Sequence, residues 1–132
     1  MPNQSPAGPI LIVEDDPDMR NAMTMVLKSE GYEVAEASDG REALDRLRKP
    51  ARPYLILLDL MMPRMDGFEL RVQQMQDPAL ADIPVIVFSA GADLERKVAP
   101  LRVDGYVEKP VDIPVLLELV GSRCAKDRSE RH

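Results

Sequence analysis

The side chains that could do chemistry stand at the ends of short apolar runs. Pro9-Ile10-Leu11-Ile12-Val13 stops at Glu14-Asp15-Asp16, and Tyr54-Leu55-Ile56-Leu57-Leu58 stops at Asp59. Ile83-Pro84-Val85-Ile86-Val87-Phe88 gives way to Ser89, and Gly105-Tyr106-Val107-Glu108 to Lys109. Carboxylates gathered in one place repel one another and need a cation or raised pKa values to coexist. An oxygen-only set with no His or Cys nearby selects a hard ion, and Mg²⁺ is held by one or two carboxylates with water and substrate phosphate completing its shell. That combination points to a phosphoryl group as substrate. A carboxylate can act as the nucleophile and form an aspartyl phosphate. The transferred oxygens then need a cation and a hydrogen-bond donor, for which Lys109 and Ser89 are the candidates. Taken alone, Asp59 reads equally well as a residue that caps a turn.

The elements decide between these readings. Apolar runs of this length, bounded by Pro and Gly, are strands buried on both faces, as in parallel sheets. Asp16-Pro17 reads as the N-cap and first residue of a helix that carries Met19, Ala22, Met23, Val26 and Leu27 at helical spacing and stops at Gly31. Tyr32 to Ala37, with Glu33 and Glu36, is a weaker strand that suits a sheet edge. Asp39-Gly40 opens a helix with Ala43, Leu44 and Leu47 that closes before Pro50, and Asp66-Gly67 opens another through Met75. Asp93 to Ala99 can form only a short helix, because Pro100 breaks a longer one. Gly105 to Glu108 is a second edge strand, and a last helix from about Asp112 places Ile113, Leu116, Leu117, Val120 and Cys124 on one face. Alternating strands and helices mean an α/β fold with right-handed crossovers. With the apolar strands central and the polar ones at the edges, the five-stranded parallel sheet takes the order 2-1-3-4-5. Its winding reverses beside Glu14, Asp15 and Asp59, where ligands bind in such sheets. Asp16, Asp18 and Asp66 are cap or turn residues with no metal role.

The 132 residues, 45% of them hydrophobic, make one folded domain. Residues 1–8 are expected to form a flexible lead, 9–125 the domain and 126–132 a charged tail. A net charge of −6 argues against nucleic acid as a direct partner. A single cysteine excludes an internal disulfide framework, and Cys124 is expected to pack within its helix. The absence of a signal peptide or a long apolar span leads us to expect a soluble cytoplasmic protein, with no membrane partner.

Val13-Glu14-Asp15-Asp16-Pro17-Asp18-Met19-Arg20, Leu57-Leu58-Asp59-Leu60-Met61-Met62-Pro63 through Asp66-Gly67, Phe88-Ser89-Ala90 and Tyr106-Val107-Glu108-Lys109-Pro110 resemble the response-regulator receiver domains of two-component signalling. The likeness covers roughly Pro9 to Cys124, with every motif in family order. It implies a doubly wound, flavodoxin-like three-layer fold and a CheY-like single-domain switch, not an enzyme acting on other molecules. By resemblance Asp59 is the phosphoacceptor, and Mg²⁺ is held by Asp15, Asp59 and the backbone carbonyl of Met61, with Glu14 completing the acidic pocket. Ser89 is similar to the switch hydroxyl, Tyr106 to the switch aromatic and Lys109 to the phosphate-binding lysine, followed by a cis Lys109-Pro110 bond. The donor would be a sensor histidine kinase or a phosphotransfer protein, and the output a protein docked on the surface of the fourth helix, fifth strand and fifth helix.

Two departures from the family stand out. The segment from Ser89 to Lys109 is slightly short, with Pro100 inside the usual fourth helix and Arg102 where Gly commonly sits. Val111 replaces the more familiar Phe, and the charged signature of regulators that dimerise on DNA is missing. A short, mobile fourth helix and a monomer or weak dimer are therefore expected. A small Mg²⁺-dependent phosphatase with an Asp nucleophile is the alternative. That class carries its nucleophile at the end of the first strand and a second acid two positions on, where this chain has Met61. A flavodoxin-type flavin binder is disfavoured because no Ser/Thr/Gly-rich phosphate loop follows the first strand. The sole histidine, His132, lies in the expected tail, which rules out a histidine phosphotransfer protein.

Overall fold

The computed structural model describes residues 8–49, 52–62, 65–90 and 94–130, with 124–130 as backbone alone. The expected lead therefore falls outside the described residues except for Gly8, as do Pro50, Asp93, His132 and the Cys124 side chain. Five strands, β1 (Ile10–Val13), β2 (Val34–Ala37), β3 (Leu55–Asp59), β4 (Val85–Ser89) and β5 (Gly105–Glu108), form one parallel sheet in the order β2-β1-β3-β4-β5. Five helices, α1 (Pro17–Ser29), α2 (Gly40–Leu47), α3 (Gly67–Gln76), α4 (Leu94–Val98) and α5 (Ile113–Glu130), connect and cover it. Fold class and strand order are as expected.

The layers follow from the two-residue period of the strands. Leu11, Val13, Ile56, Leu58, Val85 and Val87 share one face with Ala43, Leu44 and Leu47 of α2, Leu70 of α3 and Leu94 and Val98 of α4. Ile10, Ile12, Leu55, Leu57, Ile86 and Phe88 share the other with Met23 and Leu27 of α1 and Leu116 and Val120 of α5. Every residue of β1, β3 and β4 is buried, whereas β2 and β5 are only partly so, and that ordering places the polar strands at the edges.

Local signals set the helix ends. Asp16, Asp39 and Asp66 each accept a hydrogen bond from a backbone N–H of the first turn they cap. After α1, Gly31 takes φ +97°, a left-handed conformation that suits glycine at a helix stop. Pro100 has no N–H to continue α4, and the chain tightens into a 3₁₀ turn over Ala99–Leu101.

The helices depart from the expected elements in α1 and α5, and α3 buries polar residues. Ala22 of α1 is exposed, and Thr24 takes the buried position. The buried face of α3 carries Arg71 and Gln74, while Val72 and Met75 face outward. The last helix, expected to end near Ala125, runs on to Glu130; no Gly or Pro interrupts the sequence beyond Gly121.

Candidate functional site

Register carries the candidate residues to one edge of the sheet. Val13 pairs with Leu58, so the next residues, Glu14 and Asp59, lie side by side. Asp59 pairs with Phe88 and Ser89 with Glu108, which brings Ser89 and Lys109 in from the other side. The Lys109 N–H donates to the Ser89 carbonyl at 2.8 Å, and the Lys109-Pro110 bond is cis, as expected.

Carboxylate oxygens of Glu14, Asp15 and Asp59 all lie within 4.8 Å of one another. Glu14 and Asp59 are buried, and Asp15 is exposed at the mouth. Asp59 Oδ1 accepts the Met61 N–H at 3.1 Å, and Oδ2 accepts from Lys109 Nζ at 3.2 Å. The same ammonium stands 3.1 Å from Glu14 Oε1 and 5.5 Å from the centre of the Phe88 ring. Its direction to Glu14 Oε1 is poor for a hydrogen bond, so that buried oxygen has a charge beside it and no aligned donor. Glu14 Oε2 accepts the Asp16 N–H at 3.0 Å.

These contacts set the electrostatics. Burial pushes the Glu14 carboxyl up to about 7, with the Asp59 charge adding to the rise and the Asp16 N–H and Lys109 opposing it. Burial by itself would lower Lys109, but the adjoining Glu14 carboxylate and the charge of Asp59 outweigh it and raise it. Three carboxylates against one ammonium leave the pocket anionic. The donor set fits a hard divalent cation: it is all oxygen, it is open at Asp15, and it includes a buried oxygen without an aligned donor.

The loop after Asp59 is held close by Gly67. A Cβ there would come within 2.5 Å of the Asp59 carbonyl oxygen and 2.7 Å of the Leu60 Cα, so only glycine lets α3 start against the end of β3. The Gly67 N–H donates to the Leu60 carbonyl at 3.1 Å. The Met61 side chain points to solvent, 63% exposed. Asp16 and Asp66 cap helices, as expected.

Ser89 is buried at the end of β4. Tyr106 faces outward from β5, 41% exposed, in a surface groove of about 580 Å³ that it shares with Leu94, Glu95, Arg96, Ala99 and Glu108. Loss of water and then the carboxylates of Glu95 and Glu108 raise its phenol.

Three features escape the sequence reading. Arg71, 5% exposed, donates to the carbonyls of Leu101 at 2.9 Å and Arg102 at 2.8 Å and to Gln74 Oε1 at 2.7 Å. Gln74 in turn donates to the carbonyls of Leu80 and Ile83, each at 2.9 Å. Arg102 stands at φ 54°, ψ 49°, the left-handed conformation, which accounts for the glycine expected there by resemblance. Arg20, seen in the sequence only as part of a motif, lies against Glu14 and Glu36. An Arg or Gln spaced like a core residue was the available signal for the first, and nothing local marked its acceptors.

A family model described as the response regulator receiver domain matches residues 10–121. An uncharacterized 14.6 kDa protein of Leptolyngbya boryana is 39% identical, over 87% of this chain and 88% of its own length. The DNA-binding response regulator MtrA of Mycolicibacterium smegmatis is 36% identical over 92% of this chain but 52% of its own, so the chain spans about half the length of that relative. Among solved structures, a response regulator receiver protein from Pseudomonas putida superposes with a TM-score of 0.81 at 33% identity, covering 89% of this chain and 98% of that one.

Proposed function

The chain belongs to the response regulator receiver family of two-component signalling, and we propose that within it Asp59 accepts a phosphoryl group and switches the outer face of α4, β5 and α5. One observation carries this reading: Asp59 ends the central strand with the Lys109 ammonium at 3.2 Å and the carboxylates of Glu14 and Asp15 within 4.8 Å.

An oxygen of Asp59 forms the new bond to phosphorus as the bond from phosphorus to the donor breaks. The donor is a phosphohistidine on a sensor kinase or phosphotransfer protein. Asp15, Asp59 and the Met61 carbonyl would hold Mg²⁺, with Glu14 behind them. The ion's part is to offset the negative charge of the phosphoryl oxygens. Lys109 already pairs with Asp59 and Glu14, and would turn to the phosphoryl oxygens as they arrive. Ser89, at the end of the neighbouring strand, supplies a hydroxyl donor to the same group. Drawing Ser89 toward Asp59 vacates space beneath β5, and Tyr106 turns inward to fill it, which is a population shift between two conformations.

The changed face is read by a docked protein; we propose a monomer or weak dimer with no direct contact to nucleic acid. Among the described residues no helix is long and apolar enough to cross a membrane. Intact-mass measurement with Mg²⁺ and acetyl phosphate tests the reading. The wild type should gain the mass of one phosphoryl group and Asp59→Asn should not; equal labelling of the two sinks the assignment.

A further inference from the structure

One turn into α1, Arg20 folds back over the acidic loop, with its side chain 18% exposed. Its Nη1 donates to the backbone carbonyl of Glu14 at 2.7 Å, and its Nε to Glu36 Oε1 at 3.3 Å. The other oxygen of Glu36 accepts from the hydroxyl of Thr24 at 2.7 Å, and Thr24 is buried. Glu36, on edge strand β2, pairs in register with Ile12 of β1, two residues before Glu14. The guanidinium is thus held from α1 and β2 and aimed at a single backbone oxygen in the acidic pocket.

That oxygen decides where Asp15 points. Glu14 is fixed on its other side by its own N–H, which donates to the Ala37 carbonyl at 3.1 Å. Because the peptide unit is planar, fixing the Glu14 carbonyl also fixes the direction of the Asp15 N–H and Cα. Asp15 is exposed, so packing does little to hold its side chain, and the Cα–Cβ direction that the backbone sets limits where its carboxylate can reach. Released from Arg20, the Glu14–Asp15 peptide could turn, and its carbonyl would add another oxygen to a pocket that is already anionic. Glu36 balances the positive charge of Arg20 where it stands. Its effect at the pocket is therefore one of orientation.

We propose that Arg20 is a positioning residue for the Mg²⁺ site, holding the Glu14 carbonyl so that Asp15 faces Asp59, braced by Glu36 and Thr24. The proposal rests on the reading of Asp15 and Asp59 as Mg²⁺ ligands, and the test separates the two. MgCl2 is titrated into the 132-residue wild type, Arg20→Met and Arg20→Lys while the amide shifts of Asp15 and Asp59 are followed, and the melting temperature of each is taken in EDTA. Groups that orient a metal ligand change affinity by about 10- to 100-fold when removed. Arg20→Met should therefore weaken Mg²⁺ about tenfold or more, with Arg20→Lys, which keeps one donor, between it and the wild type. A merely structural arginine would lower the melting temperature and leave the Mg²⁺ dissociation constant alone, and that result overturns the proposal. If Arg20→Met does not fold, Arg20→Lys decides, and an unchanged constant there overturns it as well. A wild type whose Asp15 and Asp59 amides ignore Mg²⁺ overturns the underlying reading and this inference together.

Discussion

Lys109 Nζ lies 3.2 Å from Asp59 Oδ2 across 50 positions of chain. The sheet makes that contact, since Asp59 pairs with Phe88 and Lys109 follows directly on Glu108, the partner of Ser89. The ammonium is also 3.1 Å from Glu14 Oε1, so one cation serves two buried carboxylates.

Removing it should therefore destabilise the fold. Breaking a buried ion pair from one side costs about 3–5 kcal/mol. Lys109 is 22% exposed on its side chain and water screens part of its charge, so Lys109→Met should cost about 2–3 kcal/mol in EDTA. The loss should be larger at pH 8 than at pH 6, where Glu14 can take up a proton instead, and Mg²⁺ should narrow it. Chemical denaturation with and without Mg²⁺ measures this, and a variant as stable as the wild type in EDTA would show that the pair contributes nothing.

Glu14 makes the metal-free protein sensitive to pH near neutrality. Its carboxyl is raised from 4.5 to about 7 in the folded state, so between those values the folded chain binds more protons than the unfolded one. The sign follows: this contribution to stability is complete below about 4.5 and is lost as pH rises through about 7. Its full size is on the order of 3 kcal/mol. The melting temperature in EDTA should fall from pH 5.5 to pH 8.5, and Glu14→Gln should flatten the fall. An equal slope in that variant would place the titration elsewhere.

Arg71 holds the end of the 3₁₀ turn after α4 through the carbonyls of Leu101 and Arg102. Arg71→Met leaves these part-buried carbonyls and the buried Gln74 Oε1 without that donor, and a buried group so left costs about 1–3 kcal/mol. We expect a loss of about 2–4 kcal/mol, with faster hydrogen exchange around Leu101 to Asp104. At the neighbouring position Arg102→Gly should be stabilising by about 0.5–1 kcal/mol, because a left-handed φ strains any residue with a Cβ. A destabilised Arg102→Gly would mean that its side chain matters more than its backbone.

Helix α4 has five residues and two buried anchors, Leu94 and Val98, and short helices are marginal without packing. Its amides from Leu94 to Ala99 should exchange faster than those of α1 in the free protein and slow when beryllofluoride, which stands in for the phosphoryl group, is added with Mg²⁺. Amide shifts should reach Ser89 and Tyr106. Shifts confined to the loops around Asp59 would remove the switch from the proposed function, and protection of α4 equal to that of α1 would remove the mobile helix from it.

Strand order and the site's location were legible because both follow from burial. A strand covered on both faces must be apolar throughout, so Ile10–Val13, Leu55–Leu58 and Val85–Phe88 announce themselves as central, and the polar residues that end them mark the ligand edge. Caps were legible for a similar reason, since Asp16, Asp39 and Asp66 act on N–H groups only two or three residues away.

The sequence by itself thus determined what depends on neighbours along the chain: the buried strands, the helix starts, and the set of carboxylates, hydroxyl and ammonium that end at one edge. Tertiary structure alone decided what depends on partners far apart in the chain. Arg71 reaches carbonyls 30 and 31 positions away, and Arg20 meets Glu36 at a separation of 16. A backbone carbonyl accepts hydrogen bonds whatever residue carries it, so no residue type advertises such an acceptor, and only the folded chain shows which carbonyls a buried guanidinium finds.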